Sequence, residues 1–173
     1  APVDPPRPRV VAAPRLEDLD ELVERISKAE RPLILVGGAL MADAVHDDRV
    51  FADLNKLAET WVLPISPTHR RPQMFDAKHP NFGGYMGIRV PPDLINEMKT
   101  ADLLVALGER MTDTVSQSYS FPTAPQPQLP FVHVWPDPNE VGRVWRPDLG
   151  IPASPHEVIK ALLRRKAPTG AGK

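Results

Sequence analysis

Arg31-Pro32-Leu33-Ile34-Leu35-Val36-Gly37-Gly38 is the stretch that decides how this chain folds. Leu33 to Val36 is a short apolar run without polar alternation, the pattern of a strand covered on both faces in a parallel sheet. Gly37-Gly38 ends the run, and Arg31-Pro32 separates it from what comes before. Upstream, Leu16, Leu19, Leu22, Val23 and Ile26 recur at helical spacing between Arg15 and Ala29. Glu17, Asp18, Asp20 and Glu21 load the first turns of that helix with negative charge, which suits its dipole.

The same alternation continues downstream. A helix is predicted over 48–60, with Phe51, Leu54, Leu57 and Ala58 inward, and a strand over 61–65. Another helix starts after Pro91-Pro92 and carries Leu94, Ile95 and Met98. Leu103 to Leu107 is the clearest strand, entered from Asp102 and left at Gly108; Phe131 to Val134 is the next. Asp137-Pro138-Asn139-Glu140 and Ser154-Pro155-His156-Glu157 each read as a helix start, with a capping side chain, Pro at the first helical position and Glu at the third. Val158, Ile159, Leu162 and Leu163 follow the second, and Arg164, Arg165 and Lys166 close it with positive charge. Short strands alternating with helices predict an α/β fold: three layers, doubly wound and Rossmann-like, around a mostly parallel sheet of five or six strands.

Composition narrows the function classes. The 173 residues suit one domain with a sizeable core, at 42% hydrophobic and 25% charged. A net charge of −1 supplies no field to gather nucleic acid or anionic lipid. No cysteine is present, so disulfides and thiolate metal sites are excluded. No apolar run is long enough to span a bilayer, and a cytoplasmic protein is expected. The 22 prolines are the anomaly. They cluster in 2–14, 122–138 and 147–155. Residues 1–14 read as an interdomain linker, 15–166 as the α/β domain, and 167–173 as a disordered tail or linker, so the chain reads as a domain cut from a longer protein, with a small free-standing protein with floppy ends as the alternative.

Two long connections, 66–90 and 109–129, leave the carboxyl ends of strands, the edge where open parallel sheets bind ligands. Gly37-Gly38 stands where a dinucleotide fold places its phosphate turn. The run continues Ala39-Leu40-Met41-Ala42, which is not the G-x-G-x-x-G fingerprint. A βα turn that binds nothing is an equal reading. No nucleophile elbow surrounds Ser66, Ser116, Ser118, Ser120 or Ser154, and the five histidines lack zinc spacing. His46 reads as a surface residue, His133 as a hydrogen-bonded core residue, and His69-Arg70-Arg71 as a solvated basic loop. Arg110 and Asp113 follow a strand end and face the ligand edge, or form a structural ion pair. No catalytic and no metal-ligating residue is assigned.

The order of segments resembles the central domain of thiamine-diphosphate-dependent enzymes of the acetolactate synthase and 2-keto acid decarboxylase type. The matching stretches are Arg31 to Gly38, Leu57-Ala58-Glu59 with Leu63-Pro64-Ile65, and His79-Pro80 with Gly84 and Gly87. Ala101 to Arg110 follows, and then Val132-His133-Val134 with Asp137 to Gly142. The resemblance implies a three-domain parent that decarboxylates a 2-keto acid, as a lyase, or joins the resulting carbanion to a second carbonyl, as a transferase. It places thiamine diphosphate and magnesium in flanking N- and C-terminal domains, and Gly-Asp-Gly, the family's metal signature, is not in this chain. It implies a parental homodimer or homotetramer, with no nucleic acid and no membrane as partner.

In that family the central domain binds FAD, ADP or nothing. Carried over, the contacts are Gly37, Gly38, Thr68, Gly84, Met86, Gly108, Arg110 and Asp113. This chain departs from the FAD-binding pattern in having Ala39 for a third glycine, Thr112-Asp113-Thr114 for Asp-Asp-Arg, and Arg89-Val90 for His-Gly. Trp135 and Ser154 stand where acids are expected. An indole cannot accept ribose hydroxyl hydrogen bonds as a carboxylate can. The resulting expectation is a structural, non-catalytic domain with a vestigial FAD or ADP site and no tightly bound cofactor. The rival readings are a stand-alone nucleotide-binding α/β domain, an NAD-dependent oxidoreductase, and an interaction module without ligand.

Overall fold

The structure, a computed structural model, describes residues 10–168. The elements run α1 (Leu16–Lys28), β1 (Pro32–Val36), α2 (Gly38–Ala44), α3 (Val50–Trp61), β2 (Ile65–Pro67), α4 (Pro92–Met98), β3 (Leu103–Leu107), β4 (Phe131–Val134), β5 (Leu149–Ile151) and α5 (Pro155–Leu163). The five strands form one sheet in the order β2-β1-β3-β4-β5, and all four pairings are parallel. The chain moves outward from β1 to β2, then returns to the other side of β1 for β3. The strand order therefore reverses between β1 and β3.

Successive residues of each strand feed opposite cores, which explains the unbroken apolar runs. Ile34, Val36, Leu103, Val105, Leu107, Val132 and Val134 meet α1, α2, α3 and α5 on one face. Leu33, Leu35, Leu104, Ala106 and Phe131 meet Met98 of α4 and residues of the long connections on the other, including Met86, Met111, Phe121 and Trp145. The doubly wound α/β architecture is the expected one. Beyond the sheet edge, 81–86 runs parallel to β2 through bridges Ile65–Phe82 and Thr68–Met86, which shields the edge strand.

Several local readings are corrected. Trp61 ends α3 instead of opening a strand, because it continues the helical face of Leu54, Leu57 and Ala58 and is buried there. Val62 then turns left-handed at φ 53°, and β2 starts only at Ile65. The stretch 137–142 is a run of turns instead of a helix. Asp137 accepts from the Asn139 N–H at 2.9 Å, Gly142 sits at φ +81°, and Glu140 is held by two arginines. A cap motif without an apolar stripe behind it had no helix to start. Leu16 is exposed, since it lies on the solvent side of the first turn. The short strand β5, carrying Gly150 and flanked by Pro147 and Pro152, gave no readable pattern.

The Ser154 start is a cap. Its Oγ accepts from the Glu157 N–H at 3.3 Å and donates to Asp43 Oδ2 at 2.8 Å. Such a cap contributes about 1 kcal/mol. Of the expected linker, 10–14 carries no helix or strand, and the Ala12 carbonyl accepts from the Ser154 N–H at 2.9 Å. The remainder of the linker and 169–173 of the tail lie outside the described residues. Among the described residues no helix is long and apolar enough to cross a membrane.

Candidate functional site

The reversal between β1 and β3 is the place where this topology opens a crevice for ligands. Val36 and Leu107 pair in the sheet, so Gly37 and Gly108 leave it side by side. Gly37 has an extended backbone, φ −140°, which any residue could adopt. It is glycine for space: a Cβ would run into Glu109 Oε2 and lie 2.7 Å from Glu109 Cα. Gly108 has both needs. Its φ is +71°, and a Cβ would stand 2.8 Å from the Leu40 nitrogen and 2.8 Å from Pro155 Cγ. The Ala39 N–H donates to the Gly108 carbonyl at 2.9 Å, tying the two strand exits together.

Glu109 is buried in the middle of this knot. Its Oε2 lies 2.5 Å from Thr68 Oγ1, and its Oε1 accepts from the Met111 N–H at 3.1 Å. Thr68 Oγ1 also lies 3.0 Å from the Val36 carbonyl. One hydroxyl proton cannot serve two acceptors at once. The Thr68 hydroxyl therefore donates to the Glu109 carboxyl or to the Val36 carbonyl, one at a time. Burial pushes the Glu109 carboxyl above the ordinary range, against the opposing pull of Thr68, the Met111 and Arg110 amides and the Arg71 charge. Arg71 lies alongside: its Nη1 donates to the Arg70 carbonyl at 2.8 Å, while its buried Nε has no partner. His133 of β4 reaches the Glu109 carbonyl through Nε2 at 3.1 Å. Burial lowers its pKa, so it stays neutral near pH 7 as a core donor.

Further along the same edge, a crevice of about 330 Å³ opens between the exits of β3 and β4. Arg110, Asp113, Tyr119, Glu140, Arg143 and Trp145 are among its lining residues. Arg110 Nε donates to Glu140 at 2.6 Å, and Arg143 holds the other carboxylate oxygen. These two arginines, Arg110 first, keep the Glu140 carboxyl below its ordinary range. The Tyr119 and Trp145 rings lie 5.5 Å apart, and the Trp145 indole donates to the Pro122 carbonyl at 3.1 Å. Gln117, Ser118 and Tyr119 are all left-handed, at φ 49°, 58° and 64°, a strained run that the Gln117 amide secures by donating to the Gly87 carbonyl at 3.1 Å. A second cavity, about 370 Å³, lies at the opposite, amino-terminal edge beside Arg31, Pro64 and Phe82.

The eight expected contacts divide three ways. Gly37, Thr68 and Gly108 come together at the reversal, around Glu109. Gly38 opens α2 beside them, and a Cβ there would lie 3.9 Å from Arg71 Nη2. Arg110 and Asp113 stand in the open crevice, both exposed, and Arg110 pairs with Glu140 and not with Asp113. Gly84 and Met86 belong to the strand-like edge. Gly84 has φ +91° and a Cβ would meet Leu94 Cδ1 at 2.6 Å; Met86 is buried, with its N–H donating to the Pro67 carbonyl at 2.9 Å. The residue missed was Glu109. Its signal was present: an acid placed directly after an apolar strand and its glycine.

A nucleotide diphosphate reaching the Gly37 backbone would need the space that Glu109 fills. It would also bring negative charge against a buried carboxyl. The position therefore does not fit that group. Trp135, at the exit of β4, offers an N–H and no acceptor. Ser154 is buried and engaged in capping α5. Among the described residues no three His, Asp or Glu side chains are grouped to hold a metal ion.

Comparison with known proteins agrees with this architecture. The family model described as "Thiamine pyrophosphate enzyme, central domain" matches residues 19–162. The chain is 26% identical over 161 residues to the acetolactate synthase large subunit of Corynebacterium glutamicum, covering 93% of this chain and 24% of that protein. It is 29% identical over 162 residues to the sulfoacetaldehyde acetyltransferase of Alcaligenes xylosoxydans xylosoxydans, covering 89% and 25%. A solved thiamine diphosphate-dependent 4-hydroxybenzoylformate decarboxylase from Rhodococcus jostii superposes with a TM-score of 0.66 at 24% identity, over 94% of this chain and 30% of that one. The chain thus spans about a quarter of the length of the curated relatives it matches. On the family match and the five-stranded parallel sheet, this chain belongs to the central-domain family of thiamine pyrophosphate enzymes.

Proposed function

We propose that this chain is the non-catalytic central domain of a thiamine-diphosphate-dependent enzyme that decarboxylates a 2-keto acid or ligates the product, and that its own FAD or ADP site is vestigial. The carrying observation is the knot at the β1/β3 reversal, where Glu109 stands in the place a diphosphate would need. The domain's work is then architectural: a rigid sheet that orients flanking N- and C-terminal domains, which hold thiamine diphosphate and magnesium. The cofactor supplies the carbanion chemistry and the protein positions it. A cytoplasmic dimer or tetramer is the matching assembly.

The test uses two measurements. Calorimetric titration of the chain with thiamine diphosphate and magnesium is expected to show no heat of binding, and micromolar binding would sink the assignment of a non-catalytic domain. The flavin absorbance of the complete enzyme decides the rest. It is expected to be colourless, and a stoichiometric yellow protein would refute the vestigial site.

A further inference from the structure

We infer that the Glu109 side chain is a built-in plug at the β1/β3 reversal, filling the place of a nucleoside diphosphate's phosphates, and that a smaller residue at 109 reopens the position to such a ligand. The inference rests on the reading of this edge as an inactive nucleotide site and names the residue that closes it.

Three observations support it. The first is steric. The Glu109 carboxylate lies against the bare face of Gly37, where its Oε2 would run into an added Cβ. Close backbone approach by a ligand is what glycine permits at such a turn; here the chain's own side chain makes that approach. The second is chemical. Glu109 faces donors that suit a phosphate: the Thr68 hydroxyl at 2.5 Å, the Met111 N–H at 3.1 Å and the neighbouring Arg71 charge. The third is a donor left over. Arg71, whose charge bears on Glu109, has a buried Nε without a partner. A phosphate, with more acceptor oxygens than a carboxyl group, can take up further donors.

The test uses the full chain, its Glu109→Ala variant and its Glu109→Gln variant, with ADP and inorganic pyrophosphate as probes. Glutamine keeps the shape and removes the charge; alanine removes the bulk. Isothermal titration is expected to show at least about tenfold tighter ADP binding for Glu109→Ala than for the other two, a difference of about 1.4 kcal/mol. A folded Glu109→Ala chain that binds ADP no better than its parent would overturn the plug. Equal gains for glutamine and alanine would overturn it too, because charge and not bulk would then exclude the ligand. If alanine unfolds the chain by circular dichroism, Glu109→Ser takes its place under the same criteria. An independent measurement needs no variant: pyrophosphate should leave the amide resonances of Gly37, Gly38 and Thr68 unmoved in the parent chain, and movement of these three refutes the plug. Tight ADP binding by the parent chain would sink both the plug and the vestigial reading, whereas a null result for the folded variants sinks the plug alone.

Discussion

The carboxyl edge of this sheet is closed at one end and open at the other. At the β1/β3 reversal, two glycine turns, Thr68 and Glu109 pack closely together, with Thr68 and Glu109 buried. Between the exits of β3 and β4, Arg110, Glu140 and Arg143 ring an open crevice of about 330 Å³ and stay exposed to water or partly so. Both ends have the same strand polarity. What separates them is the direction of two consecutive side chains after Gly108: Glu109 is buried and Arg110 is exposed. Topology offers a ligand site along this edge, and in the reading proposed above one inward side chain withdraws it at the reversal.

The sharpest way to break this comparison uses its glycines. Gly108 and Gly142 are both left-handed, at φ +71° and +81°. Gly108→Ala adds overpacking against Leu40 and Pro155 to the backbone strain and should cost about 3 kcal/mol. Gly142 has nothing nearer than Pro147 Cδ at 3.8 Å, so Gly142→Ala should cost about 1 kcal/mol, the strain alone. Urea denaturation of the two variants measures the contrast. Equal losses would mean that the closed end is not tightly packed.

A smaller effect tests the buried acid. Because the folded-state pKa of Glu109 is raised, its contribution to stability is present below the unfolded value, near 4.3, and is lost as pH rises through the folded value. Glu109→Gln mimics the protonated acid at every pH. It should therefore be more stable than the parent at pH 7, with the advantage fading to nothing below about pH 4. His133 works the other way: its lowered pKa gives stability that is present above the ordinary histidine value and lost in acid. Both chains carry His133, so subtracting their denaturation curves across pH isolates Glu109. An advantage that grew toward acid would contradict the buried placement.

The smallest effect belongs to the open end. Arg110 and Glu140 meet at the surface, where solvent screens the pair. Arg110→Ala should leave the urea midpoint unchanged while relaxing the depressed Glu140 carboxyl, measurable by NMR titration, upward toward its ordinary range. Arg143 still holds Glu140, so the return should be partial.

Strands β1, β3 and β4 were legible because a strand buried on both faces is largely apolar, and β1 and β3 end at Gly37 and Gly108. The helix at Ser154 was legible because a cap stood directly before an apolar stripe. The helix expected at Asp137 had the cap and lacked the stripe. Trp61 opens the run 61–65 that reads as a strand, yet it completes the apolar face of α3. Of the site, Gly37 and Gly38 are legible from their place after a strand, while Thr68 and Gly108 follow from the family resemblance. The local sequence of Glu109 does not show that it is buried, because its partner Thr68 lies far along the chain.

The sequence by itself determined the fold class, the family resemblance and the absence of cysteine chemistry, since all three depend on residue identity and local order. Only the tertiary structure decided which polar groups are buried. Thr68 and Glu109 are forty-one residues apart, and neither shows in its local sequence that it will meet the other. Burial is a property of the assembled surfaces: it sets the proton affinity of Glu109, the neutrality of His133 and the room left beside Gly37.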